Sequence, residues 1–535
     1  MPRLPDPRVL LAGSLLAACW APAYYHEWAD EQVYGILEQK TERALGERRP
    51  FHVERAVDTL RARLVADPAP VKLSLADALD VAAENSREFQ RQKESLYLTA
   101  LSLTAARRDF EVVFGGGGTA EIAGEADTTA DATLSDDLSS SVNTPSGGRI
   151  VASFVNTFMR SVINGEGFDG SSILNLTLTQ PLLRRSCQRI VQEPLIQSER
   201  DVVYAVRSFE RFRTSFAVQV VTAYWDVAAQ MINLRAVEAN VLSLSTSRER
   251  IEELFNAGRT TVIDFGRAQQ SEYSANAQKV QATNRLQTAL DRFKLTLGLP
   301  VTAQVELDPT ELDRLGEQGV TAIEIAETDA IGLALARRYD HRTVVDNVED
   351  AGRKIYVAED ALRSSLDFSA ALDVPPEPGR GVNFDWSRVG WSAGFDLGLA
   401  LNRFGERNTY RSTLITFDVA IRNREQSADQ IAADVRSSLR DIRTAIDSYG
   451  IQKLAVELAG QRVEATTDLY DAGRIQAFDK LDAQNALLNA QLDLTDATVS
   501  FAVARLRLMS DLQAIALEPS GLRFDSSLPL PERTE

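Results

Sequence analysis

With 535 residues, the chain is long enough for several globular domains or one extended one. Its formal net charge of -18 lacks the basic footprint of a nucleic-acid binder, and leaves open whether the acid lines a cation-favouring lumen or only a solvated surface. Three scattered histidines (His26, His52, His341) and two cysteines (Cys19, Cys187) assemble no metal cluster, disulfide framework or Cys–His dyad, so no metal, cofactor or catalytic residue is expected.

Arg3 and Arg8 flank a short positive region, and the apolar run that follows, Val9 to Ala18, is too short to cross a bilayer and suits a signal peptide over 1–18. Leu16-Ala17-Ala18-Cys19 resembles the bacterial lipoprotein signal, in which the cysteine takes a diacylglycerol and becomes the new N-terminus. The alternative is an ordinary secretory signal with an incidental cysteine. Trp20 stands where an aspartate would hint at inner-membrane retention. Residues 19–70 then form a lipid-anchored extension, amphipathic near 29–66, and a linker ending at Pro68-Ala69-Pro70.

Ser74 is an N-cap candidate with Asp77 three residues on, and Leu75, Ala78, Leu79 and Ala82 make a helical stripe. That helix, or a broken pair, runs to about Val113, where Gly115 to Gly118 stop it. Barrel-type strands are expected over about 118–182. Ile150 to Val155 is β-prone, and Leu174, Leu176 and Leu178 alternate with Asn175, Thr177 and Thr179. One apolar and one polar face suits a membrane barrel, although a half-buried soluble strand fits the alternation equally. Residues 134–148 and 160–170, rich in Ser, Gly, Asn and Asp, read as loops. The length of 119–170 leaves an enlarged external loop or an extra strand pair open.

No proline occurs in 195–299 or 379–518, so long uninterrupted helices are expected there. The first runs from about Val191 to Asn256, roughly 100 Å. Gly258 breaks it, and a return helix ends at Gly298-Leu299-Pro300. The first repeat is 71–300, with its helical hairpin at 191–298. After a connector at 301–325 the order recurs in a second repeat, 326–515. It has a helix from Ala326 to Leu366, strands over about 366–402 and a hairpin over 407–512 broken at Gly473. A tail, 516–535, is expected to be loosely ordered.

The recurrence is a duplication. Leu254 to Leu297, displaced by 215 positions, aligns without a gap on Leu469 to Leu512, with thirteen of 44 positions identical. Ala-Gly-Arg stands at 257–259 and 472–474, and Asp264 matches Asp479. Alanine recurs every seventh residue at 268, 275, 282 and 289, and at 483, 490, 497 and 504. Leu487, Leu494, Phe501 and Leu508 occupy the other seam position of the second copy, which is coiled-coil spacing.

These features, with Leu-Thr-Leu-Thr-Gln-Pro-Leu-Leu at 176–183 and Ala223-Tyr224-Trp225-Asp226, resemble the TolC-like outer-membrane efflux proteins over about 71–515. The resemblance implies a mainly α fold with a small β part. Long coiled-coil helices would form a tunnel, and four strands per protomer would build a 12-stranded membrane barrel in a homotrimer. It implies a periplasmic adaptor and an inner-membrane transporter as partners, with outer-membrane lipid around the barrel. It places acidic rings at the periplasmic aperture on Asp479 and Asp482; the bland alternative is two solvated acids at a helix N-terminus. Ile475 replaces a basic residue that pairs with such acids in some members, and Arg267 stands where the second copy has Asp482. Gly258, Arg259, Asp264, Gly473 and Arg474 mark the helical-turn tips. The arginines would contact the adaptor or bond the last helical carbonyls. Cys187 is expected to be a free thiol. A passive outer-membrane conduit for efflux or type I secretion follows, rather than an enzyme; a lipid-anchored adaptor or scaffold without a channel is the other reading.

Overall fold

The computed structural model describes residues 22–55, 58–67, 69–125, 129–161, 169–307, 325–377, 380–399, 401–518 and 521–524. The signal segment and Cys19 lie outside these residues, as does most of the 301–325 connector. In chain order the elements are α1 (Pro22–Leu45), α2 (Leu60–Ala66), β1 (Val71–Leu73), α3 (Leu75–Asn85), α4 (Arg87–Arg108), β2 (Val113–Glu125), β3 (Thr129–Asn143), β4 (Arg149–Ser161), β5 (Asp169–Pro181), α5 (Gln188–Val191), α6 (Glu193–Asn256) and α7 (Val262–Leu297). The second repeat adds β6 (Val305–Leu307), α8 (Glu327–Arg337), α9 (Tyr339–Asp360), β7 (Ser365–Val374), β8 (Pro376–Glu377), β9 (Arg380–Phe384), β10 (Gly390–Gly398), α10 (Phe404–Asp471) and α11 (Ala477–Asp511). A hairpin, β11 (Ile515–Glu518) and β12 (Gly521–Phe524), lies in the segment read as a loose tail. The fold is mainly α with a smaller β part, as the sequence implied.

Two compact units divide the chain. One comprises 1–52, 96–207 and 343–424; the other comprises 53–95, 208–342 and 425–535. The first contains a single sheet in the order β10-β7-β5-β4-β3-β2, antiparallel throughout. It has six strands where four per protomer were expected. The extra pair is β2–β3, and residues 134–143, read as loop for their serine and aspartate content, belong to β3. Those polar residues are strand residues on one face: Asp131, Thr133, Ser135, Asp137, Ser139 and Ser141 all share one side of the pleat. The glycines that stop the preceding helix are themselves strand, with Gly115–Gly118 paired to Ser139–Asp136.

Register carries this segregation across all six strands. Cross-strand partners place Phe114, Ile122, Leu134, Leu138, Phe154, Leu174, Leu176, Phe368, Leu372, Trp391 and Phe395 on one face. The opposite face carries Thr119, Thr133, Asp137, Asn175, Thr177, Asp373 and Asp396, interrupted by Val155, Met159 and Ile173. The apolar face is exposed, with Ile122 at 78%, Trp391 at 77% and Phe395 at 69%. Asp136 and Asn156 are polar exceptions on it and bond to each other at 2.8 Å. The small β8–β9 hairpin lies against β5, and Phe384 meets Phe154 edge-on at 5.6 Å.

The helical part of this unit is held by ion pairs. Glu199 on α6 accepts from Arg107 at 2.6 Å and pairs with the buried Lys40 of α1. Tyr97 donates to Asp30 at 2.7 Å. Arg353 bridges Glu193 at 3.0 Å and Asp350 at 2.8 Å.

The second unit holds the larger apolar core. Ser74 and Asp77 form a reciprocal cap on α3, and Ser86 separates α3 from α4, so the predicted helix is a broken pair. Core residues from α3, α6, α7, α8, α10 and α11 surround the parallel pair β1–β6. Tyr224 and Trp225, from the motif read in the sequence, are buried there. Tyr224 packs on Phe293 at 6.0 Å and its hydroxyl donates to the Leu73 carbonyl at 3.4 Å. Gly298 ends α7 at φ +74°, and a Cβ there would lie 2.3 Å from the Asn85 carbonyl oxygen, so only glycine fits.

Burial alone would raise the Glu199 pKa, but Lys40 and Arg107 together hold it below the ordinary glutamate value of 4.5. A carboxylate lowered on folding contributes stability above its unfolded pKa and loses it as pH falls through its folded value. Glu199→Gln is therefore expected to flatten the acid limb of stability against pH below about pH 4.5. By stranding Lys40 it should also cost about 3–5 kcal/mol at neutral pH. Thermal melts of both proteins from about pH 7 to about pH 3 check this; equal acid slopes would contradict it.

Candidate functional site at the paired helical turns

Both Ala-Gly-Arg turns lie in the second unit and have the same geometry. Gly258 and Gly473 adopt φ +69° and +70°. The Gly258 amide donates to Phe255 at 2.9 Å and the Arg259 amide to Leu254 at 2.8 Å; Gly473 and Arg474 repeat this on Tyr470 and Leu469, both at 2.9 Å. This is the left-handed glycine stop that satisfies the last carbonyls of a helix. The arginine backbones, not their side chains, do the capping. Both arginine side chains are exposed and have no hydrogen-bond partner among the described residues.

Each return helix restarts on an acid. The Asp264 carboxylate accepts from the Thr261 hydroxyl at 2.6 Å and the Thr260 hydroxyl at 3.3 Å, while its amide donates to Thr261 at 3.1 Å. Asp479 accepts the Gln476 amide at 3.3 Å in a capping box. Asp479 therefore has a structural duty whatever else it does. Asp482, one turn on, is exposed and takes Arg462 of α10 at 2.6 Å. A basic partner thus exists for this acid, on the preceding helix rather than at Ile475.

The two hairpins meet beneath these turns. Leu244 and Ile251 of α6, Ala268 and Ala275 of α7, and Ala477 and Leu481 of α11 form one buried cluster, against which Phe265 and Tyr470 pack. All eight heptad alanines are buried, as close helix approach requires. Gln484 donates to Ser243 at 2.7 Å, a part-buried polar contact that fixes the register of α11 on α6. Arg250 pairs with Asp471 at 3.0 Å. Lys480 lies over the Tyr470 ring at 5.4 Å, and Arg267, the counterpart of Asp482, lies over Phe478 at 5.3 Å. Burial pushes the Lys480 ammonium below its usual value; burial first, then Asp264 and Asp471, pushes the Tyr470 hydroxyl up.

Sequence reading did not single out Arg462, Lys480 or Phe478. Arg462 lies twenty residues before Asp482 and on the other side of a turn, so only folding the hairpin reveals the pair. Cys187 is a free, exposed thiol preceding α5, remote in sequence from these groups.

Among the described residues, no atom beyond Gly473 and its chain neighbours lies within 4 Å of a Cβ placed there, so Gly473→Ala meets only the left-handed backbone and should cost about 1–2 kcal/mol. Arg462→Ala removes a half-exposed pair and should cost under about 1 kcal/mol. Denaturant unfolding of the two variants orders them, and a larger loss from Arg462→Ala would contradict the geometry.

A family model described as outer membrane efflux protein matches residues 166–299 and 323–512. Outer membrane protein TolC of Escherichia coli (strain K12) is 23% identical over 340 residues, covering 61% of this chain and 67% of that protein. TolC of Vibrio cholerae serotype O1 is 22% identical over 324 residues, covering 60% and 73%. Among solved structures, the outer-membrane channel OprN has a TM-score of 0.59 at 17% identity over 88% of this chain and 95% of that one. The Campylobacter jejuni CmeC outer membrane channel has a TM-score of 0.61 at 15% identity over 84% and 86%. These structural likenesses bear on the fold, and the family match bears on what the fold is for. The chain belongs to the outer membrane efflux protein family and is an outer-membrane channel serving efflux, as its duplicated hairpins and turns had suggested.

Proposed function

We propose that the chain works as a homotrimer, a passive conduit across the periplasm and outer membrane, with a periplasmic adaptor and an inner-membrane transporter driving export. It catalyses no reaction of its own. The observation that carries this is the two-faced sheet, whose apolar side suits lipid and whose polar side suits a water-filled lumen. Unpartnered apolar rows on the helices support assembly of copies. Tyr273 and Val280 are a heptad apart on α7, and Ile451, Leu454 and Leu458 share a face of α10, all more than 60% exposed. A lipid-anchored adaptor or scaffold without a channel is disfavoured by the family match and by the sheet itself.

In this reading, 1–18 is a signal peptide, Cys19 carries the lipid anchor, and 19–70 is an anchored extension. Asp479 and Asp482 of three copies ring the periplasmic aperture, and Arg462 moderates the Asp482 ring. Gly258, Arg259, Asp264, Gly473 and Arg474 build the tips that meet the adaptor; the exposed arginine side chains are the groups free to do so.

Ion conductance of the purified protein in a planar bilayer tests the aperture. Asp479→Ala with Asp482→Ala should raise conductance or reduce cation preference; unchanged currents and unchanged blocker response would remove the two acids from the gate. Metabolic labelling with a radioactive fatty acid tests the anchor. The wild-type chain should take label and Cys19→Ser should not; equal labelling would place the lipid elsewhere or nowhere.

A further inference from the structure

Among the described residues, the sheet ends on two strands that have no partner along their outer sides, β2 and β10. Five antiparallel steps separate them, so they run in opposite directions. The β2 edge of one copy can therefore pair antiparallel with the β10 edge of the next, in the same sense around a ring. In a bilayer such edges must be paired, because lipid offers no hydrogen bonds to a bare backbone.

We infer that three copies close an eighteen-stranded barrel through a β2–β10 seam, in place of the twelve-stranded barrel that the resemblance implied. The inference rests on the trimeric channel proposed above. Its decisive observation is where β3 lies. The side of β4 that faces away from β5 is paired with β3 in unbroken register, from Asn143↔Arg149 to Asp131↔Ser161. β2 in turn pairs with β3 over its whole length, from Val113↔Ser141 to Glu125↔Thr129. A twelve-stranded closure would need the β4 edge for a neighbouring copy, and so would require stripping off the β2–β3 ribbon. That ribbon also continues both faces of the sheet. Phe114, Ala120 and Ile122 extend the apolar face, and Thr119 and Glu121 extend the polar one.

The two edges also fit each other. On the apolar face β2 presents Gly116 and Gly118, bare backbone beside Phe114 and Ile122. On the same face β10 presents Trp391 and Phe395, 77% and 69% exposed. Aromatic rings beside edge glycines are a recurrent way of covering bare backbone in a sheet. Barrel diameter grows roughly linearly with strand number, so eighteen strands give about 1.5 times the width of twelve and leave an open aqueous lumen. Lined by Glu121, Asp131, Asp137, Asp373 and Asp396, such a lumen would pass bulky hydrated solutes and favour cations over anions.

Disulfide trapping tests the seam. Full-length protein carrying Cys187→Ser receives one cysteine on the polar face of β2 (Gly117→Cys, Thr119→Cys or Glu121→Cys). A second is placed on that of β10 (Ser392→Cys, Gly394→Cys or Asp396→Cys). After oxidation in membranes, at least one pairing should give a covalent ladder ending at three chains, which neither cysteine gives alone. A conducting trimer in which no pairing gives a ladder would overturn the seam and leave the channel reading standing. A protein that neither assembles nor conducts would overturn both. Electron cryomicroscopy of the unmodified protein in nanodiscs gives a second count. Eighteen barrel strands are expected, and twelve, with β2 and β3 outside the wall, would refute the inference.

Discussion

A backbone amide or carbonyl in hydrocarbon must find a partner within the protein, and that constraint governs the membrane part of this molecule. A six-stranded antiparallel sheet satisfies all of its internal strands and none of its two outer edges. Its side chains add a second demand. Most aromatic and aliphatic residues share one face and most serine, threonine and aspartate the other, a division that the register carries from β2 to β10 with Val155, Met159 and Ile173 as apolar exceptions. Such a sheet is unstable as an isolated ribbon in water or in lipid. In the proposed trimer its edges meet and its polar face encloses water.

The helical part resolves a different problem by similar means. A helix as long as α6 or α10 has little intrinsic stability at its far end, so packing must hold the return helix against it. Alanine at every seventh position removes bulk from the seam, and Leu244, Ile251 and Leu481 close over the space. The part-buried contact of Gln484 with Ser243 adds register to what shape alone would leave free to slide. Gly258 and Gly473 then reverse the chain without leaving open carbonyls. What remains exposed at the turns, the two arginines and the Asp482–Arg462 pair, is held weakly and is free to exchange partners.

Much of this was legible because it is periodic. The duplication, the alanine heptads and the glycine stops all repeat at fixed intervals, and each repeat has one physical cause. The Leu174-to-Thr179 alternation showed one strand for the same reason. The β2–β3 pair was not legible. Gly115 to Gly118 are poor strand formers, and β3 carries serine and aspartate on its polar face, so composition pointed to loop. Pairing with β4 overrode local preference, which sequence spacing cannot report. At the turns, Asp479 and Asp482 were singled out through the family resemblance. Their unlike situations, one capping its helix and one bonded to Arg462, depend on which side of the hairpin each faces.

The central claim is that the sheet separates lipid from water. A cysteine scan of β10 carrying nitroxide labels, one residue at a time from Gly390 to Gly398 in reconstituted liposomes, tests it most directly. Labels at 391, 393, 395 and 397 should relax with membrane-soluble oxygen, and labels at 392, 394 and 396 with a water-soluble nickel chelate. Uniform access along the strand, or no access to either reagent, would show that the sheet does not stand between the two phases.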